Sequence, residues 1–217
     1  MIDCDLLAYL EDYLTENRKE RFRKVLSERT KFLTVAIEDV YQMHNTSAIL
    51  RSCDAFGIQE VHSIEGRFGD KLDKNIALGA QQWVDVVRHQ NTTDCIKTLR
   101  ERGYCIVATV PHQDAYSLSE FQVDTKTAVF FGTEWEGLST EVLEQADRFL
   151  KVPMVGFSES LNVSVSAAII IQQLANNLRK TTLPWQLTQA ELLEKRLDWT
   201  KKSIKKVEQI ISRYQGN

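Results

Sequence analysis

The chain has 217 residues, of which 43% are hydrophobic and 26% are charged, and its formal net charge at pH 7 is −3. This length fits one domain with extensions or two small domains, and the apolar fraction is enough for a packed core. No stretch is apolar for long enough to span a bilayer, and the acidic N-terminus lacks a signal-peptide pattern, so we expect a cytoplasmic protein.

The charges are distributed unevenly along the chain. Seven Lys or Arg accompany two acidic residues between Arg18 and Lys31, and the same counts recur between Lys195 and Arg213. Basic ends on an acidic middle are typical of a protein whose ends meet a polyanion, although a solvated helix face is the alternative for each segment. The candidates for contact with a nucleic acid are Arg18, Lys19, Arg21, Lys201, Lys202 and Lys205.

The first elements are one or two helices over residues 6–26, followed by a buried strand over 32–40. A polar loop at 41–47 leads into a short helix that ends before Gly57, and Asn45 lies where it can cap this helix. Arg51 lies in this otherwise apolar helix, so it needs an anionic partner or an exit to solvent. By itself, the pattern favours an ordinary surface arginine.

Strands and helices then alternate, which predicts a parallel α/β sheet. The predicted strands cover 58–64, 83–87, 104–110, 127–131 and 151–155. The predicted helices cover 92–102 and 140–146, with one turn of helix at 117–121. Ligands of such sheets bind beyond the carboxyl ends of the strands. We therefore expect a ligand site formed by the loops that follow Val110, Phe131 and Val155.

The loop after residue 155 opens a helix with apolar residues at helical spacing, and Ser160 and Asn162 are both suited to cap that helix. Glu134 lies between Gly132 and Gly137, where the chain can pass close to a ligand. No glycine-rich phosphate motif is present, so we expect a ligand held by backbone contacts rather than a pyrophosphate. From residue 183 onward, the pattern predicts a linker and one long helix with a basic face.

Three segments together resemble the SPOUT superfamily, specifically its TrmH (SpoU) branch of RNA ribose 2′-O-methyltransferases. These segments are 45–57 (NTSAILRSCDAFG), 130–139 (FFGTEWEGLS), and 152–154 (VPM) with 160–168 (SLNVSVSAA). They occur in the order found in the family, and the resemblance covers about residues 32–180. The terminal helices look like those of the enzymes that modify guanosine 18 in the tRNA D-loop.

The resemblance implies an α/β fold with a mostly parallel sheet and a deep trefoil knot over roughly residues 129–180. It divides the chain into an N-terminal basic helical extension (1–31), a knotted methyltransferase domain (32–180) and a C-terminal basic helical extension (181–217). It also implies a homodimer that binds S-adenosylmethionine in the knot and acts on tRNA, without a metal.

The resemblance also assigns residues. Arg51 aligns with the catalytic arginine of the family, and the other aligned motif residues are Asn45, Glu134, Ser160 and Asn162. The residues implied to hold the cofactor are Thr109, Val110, Gly132, Val152, Met154 and Leu161. Ser160 and Asn162 have a structural alternative, since both could simply cap a helix.

The histidines and cysteines receive no functional role from the sequence. The four histidines show no catalytic arrangement, and the four cysteines are scattered without a CxxC pair, which indicates reduced thiols and no zinc site. The histidines are His44, His62, His89 and His112, and the cysteines are Cys4, Cys53, Cys95 and Cys105.

The favoured function is methylation of a guanosine ribose in tRNA at position 18. Methylation of ribosomal RNA or of another tRNA position is the first alternative. A non-catalytic RNA-binding protein on the same scaffold is the second.

Overall fold

The computed structural model describes residues 3–39, 43–64, 82–111 and 114–215. They form two compact units: one runs from Thr30 to Trp185, and the other combines the residues up to Arg29 with those from Gln186 onward. The end of the first predicted strand at Val40, the start of the polar loop at 41–42 and His112 lie outside the described residues.

The unit from Thr30 to Trp185 is built on one sheet, in which all described strand pairs are parallel. The strand order is β3-β2-β1-β6-β4-β7-β5. The strands are β1 (Leu33–Glu38), β2 (Glu60–Ile64), β3 (Asp85–His89), β4 (Cys105–Thr109), β5 (Tyr116–Ser117), β6 (Thr127–Phe131) and β7 (Arg148–Lys151). The prediction of a parallel α/β sheet is confirmed.

Helices cover both faces of this sheet, which is why the central strands are continuous apolar runs. Every residue of β1 is buried, and successive residues of the strand join different cores: Val35 joins the first and Ala36 the second. The first core includes residues of α3 (Met43–Ala55) and α6 (Val163–Leu178), and the second includes residues of α4 (Thr92–Glu101) and α5 (Thr140–Gln145).

The two helices that follow loops of the predicted site begin as expected. The Ser139 side chain accepts a hydrogen bond from the amide of Val142 and caps α5. The predicted apolar face of α6 is buried throughout; it comprises Val163, Ala167, Ile170, Ile171, Leu174 and Leu178.

Two local predictions within this unit were wrong, and a third was confirmed. The last strand was expected over residues 151–155 but is Arg148–Lys151; Val155 is fully exposed, and Pro153 has no amide for a sheet ladder. The single helical turn predicted at 117–121 is present, since the amide of Phe121 donates to the carbonyl of Ser117 (3.0 Å). Helix α3 begins at Met43, so Asn45 lies inside its first turn and does not cap it.

The described residues of the terminal unit form four helices: α1 (Cys4–Glu11), α2 (Glu16–Leu26), α7 (Gln189–Ser203) and α8 (Val207–Gln215). Arg196 donates two hydrogen bonds of 2.5 Å to the Glu11 carboxylate, and the rings of Phe22 and Trp199 meet edge to face at 5.5 Å. The prediction of a single long C-terminal helix was wrong, because the helix is interrupted at Ile204–Lys206, where Lys206 has a φ of 55°.

In the part of the chain that the structure describes, no helix is both long and apolar enough to cross a membrane.

Candidate cofactor-binding site

A cavity of about 510 Å³ lies beyond the carboxyl ends of β4, β6 and β7. Its walls come from the segments that follow these strands and from the start of α6. All six residues predicted to hold the cofactor line it: Thr109, Val110, Gly132, Val152, Met154 and Leu161. Two of the predicted catalytic residues, Glu134 and Ser160, line it as well.

A tight hairpin after β6 forms one wall. The backbones of Thr133 and Gly137 exchange two hydrogen bonds, of 2.9 and 3.1 Å, and Gly137 has a φ of 70°, which favours glycine. A Cβ atom on Gly132 would lie 2.1 Å from the carbonyl oxygen of Gly137. The backbone therefore requires glycine at both ends of this turn, and the turn leaves Trp135 exposed at its tip.

A buried carboxylate at the end of β1 fixes the far end of this hairpin. Glu38 Oε2 accepts a hydrogen bond from the backbone amide of Ser139 (2.8 Å), and Oε1 accepts from the hydroxyls of Ser139 (2.7 Å) and Thr92 (2.6 Å). Glu38 lies in the first predicted strand and is not among the predicted site residues. The only local signal was a carboxylate in an otherwise buried apolar run, which must find donors inside the protein.

The side chain of Asn162 does two things at once. Its oxygen caps α6 by accepting from the amides of Ser164 (2.9 Å) and Val165 (3.4 Å). Its amide nitrogen donates to Glu134 Oε1 (2.5 Å) and to Asn45 Oδ1 (3.2 Å). The capping alternative is thus present in the structure, and the same residue also joins two of the other predicted motif residues.

Ser160 and Arg51 are placed differently. Asn162, rather than Ser160, is the residue that caps α6, and Ser160 contributes only to the cavity wall. Arg51 is exposed on α3, so of the two expected outcomes, an anionic partner or exposure to solvent, the structure shows exposure to solvent. Within the described residues, neither Arg51 nor Asn45 lines the cavity.

The six basic residues predicted to contact RNA all lie in the terminal unit. Arg18, Lys19 and Arg21 are on α2, Lys201 and Lys202 are in the last turn of α7, and Lys205 lies in the break after it. Lys19 pairs with Glu16 and Lys202 with Asp198. Lys195 belongs to the second basic segment, but its side chain is buried.

A parallel α/β sheet with a ligand-sized cavity beyond its strand ends is the architecture of a protein that binds a small organic molecule. The chain belongs to a family of RNA methylases: the model described as "SpoU rRNA Methylase family" matches residues 32–172. The tRNA (guanosine(18)-2′-O)-methyltransferase of Borreliella burgdorferi is 37% identical over 207 residues, which is 94% of this chain and 95% of that protein.

Two solved structures share the fold. The A. aeolicus TrmH/SpoU tRNA modifying enzyme superposes with a TM-score of 0.76 and 32% identity, over 88% of this chain and 98% of that one. The SpoU methyltransferase AviRb of Streptomyces viridochromogenes, solved in complex with AdoMet, superposes with a TM-score of 0.61. It is 24% identical and covers 72% of this chain and 62% of its own, so it supports the fold alone.

Proposed function

We propose that the protein transfers a methyl group from S-adenosylmethionine to the ribose 2′-oxygen of guanosine 18 in the tRNA D-loop. The observation that carries the proposal is the cavity, because the three strand-end loops predicted from the sequence converge on it. Its volume lies within the usual range of about 300–1,000 Å³ for small-molecule sites. The relative from Borreliella burgdorferi, similar over nearly the whole chain, supports the same substrate and position.

The cavity fits the proposed cofactor chemically. Three carboxylates line it, Glu134, Glu136 and Glu159, and they suit a ligand that carries a sulfonium and an amino group. Apolar side chains such as Val152, Leu161 and Ile170 offer a surface for a purine ring. When bound, S-adenosylmethionine supplies an electrophilic methyl group whose transfer leaves a neutral thioether.

The Glu134–Asn162–Asn45 network holds the site in place. Asn162 fixes Glu134 on the hairpin to the start of α6 and to the first turn of α3. Such positioning keeps the two reacting atoms aligned for in-line attack, in which misplacement by about 1 Å can cost on the order of 100-fold in rate. Asn45 and Asn162 act here as positioning residues.

Arg51 is assigned to binding of the tRNA substrate. Its guanidinium stays protonated over the accessible pH range, so it is a poor base for the 2′-hydroxyl. Its exposed planar fork is suited to hold a substrate phosphate and to stabilise the charge that develops on the 2′-oxygen.

The knot and the dimer belong to the same proposal. Strand β6 inserts between β1 and β4, and β7 inserts between β4 and β5, so late segments enter between earlier ones as a knot over residues 129–180 would require. Two fully exposed apolar side chains, Val155 and Phe157, follow the cavity-lining Met154 and suit burial against a second subunit. Light scattering should give twice the chain mass, and a monomer at working concentration would contradict the dimer.

The basic helices of the terminal unit are proposed to bind the tRNA backbone. Phosphate contacts should make affinity fall steeply with salt, and Arg21→Ala should weaken binding and flatten that dependence. Lys97→Ala is the matched control, because Lys97 is an exposed cation on α4 of the other unit. Affinity that does not change between low and physiological salt would remove this role.

A methyl-transfer assay tests the whole proposal. Purified protein and labelled S-adenosylmethionine are combined with unmodified total tRNA or with ribosomal RNA, and the methylated nucleotide is mapped. A 2′-O-methylguanosine at position 18 is expected. Transfer to ribosomal RNA alone would favour the first alternative, and cofactor binding without transfer to either RNA would overturn the assigned substrate.

A further inference from the structure

Three side chains outside the predicted site lie close together, on the opposite side of the sheet from α6. His62 on β2, His89 on β3 and Cys95 on α4 place one ligand atom each within 4.8 Å of one another. His62 and Cys95 are fully buried and His89 is half-buried. None of the three lines the cavity described above.

The two imidazoles face each other through their nitrogens. His62 Nδ1 lies 2.8 Å from His89 Nε2, while the ring centroids are 5.1 Å apart and the ring planes differ by 22°. The rings therefore meet end to end rather than face to face. One of these two nitrogens therefore donates a hydrogen bond to the other, and both become available to ligate a metal once that proton has moved.

A carboxylate fixes the orientation and the tautomer of His62. His62 Nε2 lies 3.1 Å from Glu60 Oε1, and Arg102 contacts the same oxygen at 2.7 Å. Because Arg102 donates to this carboxylate oxygen as well, Oε1 serves as an acceptor and His62 Nε2 as a donor, with Nδ1 turned to His89; a carboxylate placed in this way is the usual support for a metal-ligating histidine.

We propose that His62 Nδ1, His89 Nε2 and Cys95 Sγ form a zinc site, with solvent in the fourth position on the half-exposed side of His89. A set of two imidazoles and one thiolate suits Zn²⁺, which prefers nitrogen and sulfur in a tetrahedron. Zinc bonds of about 2.0–2.1 Å to each nitrogen place the two nitrogens roughly 3.3 Å apart. His89 is the last residue of the edge strand β3, so a movement of this size disturbs only one neighbouring strand.

Zinc binding here moves one proton within a ring and releases one. The imidazole proton of His89 moves to Nδ1, and the thiol of Cys95 loses its proton to solvent. Proton release on binding is normal for cysteine ligands. The bound ion would join β3 to β2 and to α4, a structural role separate from methyl transfer.

The test is a titration of the chelator-treated full-length protein with Co²⁺, which reports thiolate ligation through a charge-transfer band. One equivalent of Co²⁺ should give the band, and one equivalent of Zn²⁺ should abolish it. Cys95→Ser should abolish the band, and His89→Gln should lower affinity at least tenfold. Glu60→Gln should lower affinity about 10–100-fold, the usual effect of losing such a support.

Cys105→Ser is the matched control, because Cys105 is a half-buried thiol on β4 outside the cluster, and it should bind as the parent does. Circular dichroism of the metal-free proteins checks that each variant folds. Because His89 is only half-buried, His89→Gln should fold even if Cys95→Ser, at a fully buried position, does not. Binding that is weak, exceeds one equivalent, or survives both substitutions would mean adventitious surface metal and would overturn the proposal.

Discussion

The amide nitrogen of Asn162 donates to the carboxylate of Glu134 at 2.5 Å, while the oxygen of the same amide caps α6. The two atoms of one amide group therefore serve two functions that a substitution can separate. A cap requires only an acceptor, whereas the link to Glu134 requires a donor.

Asn162→Asp should keep the cap and lose the link, because it places a second carboxylate beside Glu134. We expect near-parental thermal stability and methyl transfer reduced about tenfold or more. Asn162→Ala should lose both, with stability reduced by about 1 kcal/mol. Asn91→Asp is the control, since Asn91 caps α4 away from the cavity. Full activity of Asn162→Asp would show that the link to Glu134 is unimportant.

Glu38→Gln tests the anchor of the hairpin. The carboxylate accepts three hydrogen bonds, and the glutamine amide would turn a donor toward at least one of these donor groups. We expect a loss of about 1–3 kcal/mol in the free energy of unfolding and weaker binding of S-adenosylmethionine by calorimetry. Glu144→Gln, at an exposed position on α5, should change neither. Parental affinity in a destabilised Glu38→Gln protein would limit Glu38 to a structural role.

Gly132→Ala should damage the cavity directly. The added methyl group would overlap the Gly137 carbonyl at 2.1 Å, and the atoms it meets are all backbone, so the hairpin must move. Overpacking of this kind costs about 1–3 kcal/mol, and cofactor affinity should fall with it. A methyl group on Gly156 would meet nothing within 4 Å, so Gly156→Ala should behave as the parent. Equal behaviour of the two variants would contradict the geometry of the hairpin.

Arg51→Lys tests the role of the guanidinium fork. Lysine keeps the charge but offers no planar pair of donors, so we expect a fall in kcat of about tenfold or more. Because Arg51 is exposed and lies outside the lining of the cavity, thermal stability and cofactor affinity should not change. Near-full activity would mean that charge alone is sufficient.

Acid should destabilise the protein through Glu60. Its pKa in the folded state, about 2, lies below the ordinary value of 4.5. The stabilisation is therefore complete above pH 4.5 and is lost as the pH falls toward 2; it amounts to about 3 kcal/mol. Burial also lowers the pKa of His89, which acts in the same direction at higher pH. Denaturant unfolding at pH 6 and pH 3 should show a smaller difference for Glu60→Gln than for the parent, whereas the exposed Glu101→Gln should match the parent.

The central strands were predictable because burial on both faces leaves an uninterrupted apolar run, as in β4 and β6. The last strand was predicted too late in the chain. Strand β7 is only half-buried and therefore lacks an uninterrupted apolar run, whereas the apolar residues after it look like a buried strand although they are partly or fully exposed. The break after α7 was missed because Lys206 adopts a positive φ without a glycine or proline to mark it.

The site was predictable to the extent that it depends on topology. The carboxyl ends of parallel strands share one edge, so the loops after β4, β6 and β7 had to meet there. Side-chain partners far apart in the chain were not predictable. Glu38 is hydrogen-bonded to Ser139, 101 positions away in the sequence, and His62 to His89, 27 positions away. No local sequence pattern encodes either pair.

The ion pair between Glu11 and Arg196 joins residues 185 positions apart. On the ribosome, α1 and α2 emerge first and must wait for α7 before their apolar faces can be covered. At about 5–20 residues per second, this delay lasts roughly 10 to 40 seconds. The nascent chain therefore exposes Leu10 and Phe22, both buried in the finished protein, for most of its synthesis. Release of the last helices completes the terminal unit, and any chain that stops short of α7 carries an open hydrophobic surface that chaperones and proteases can recognise.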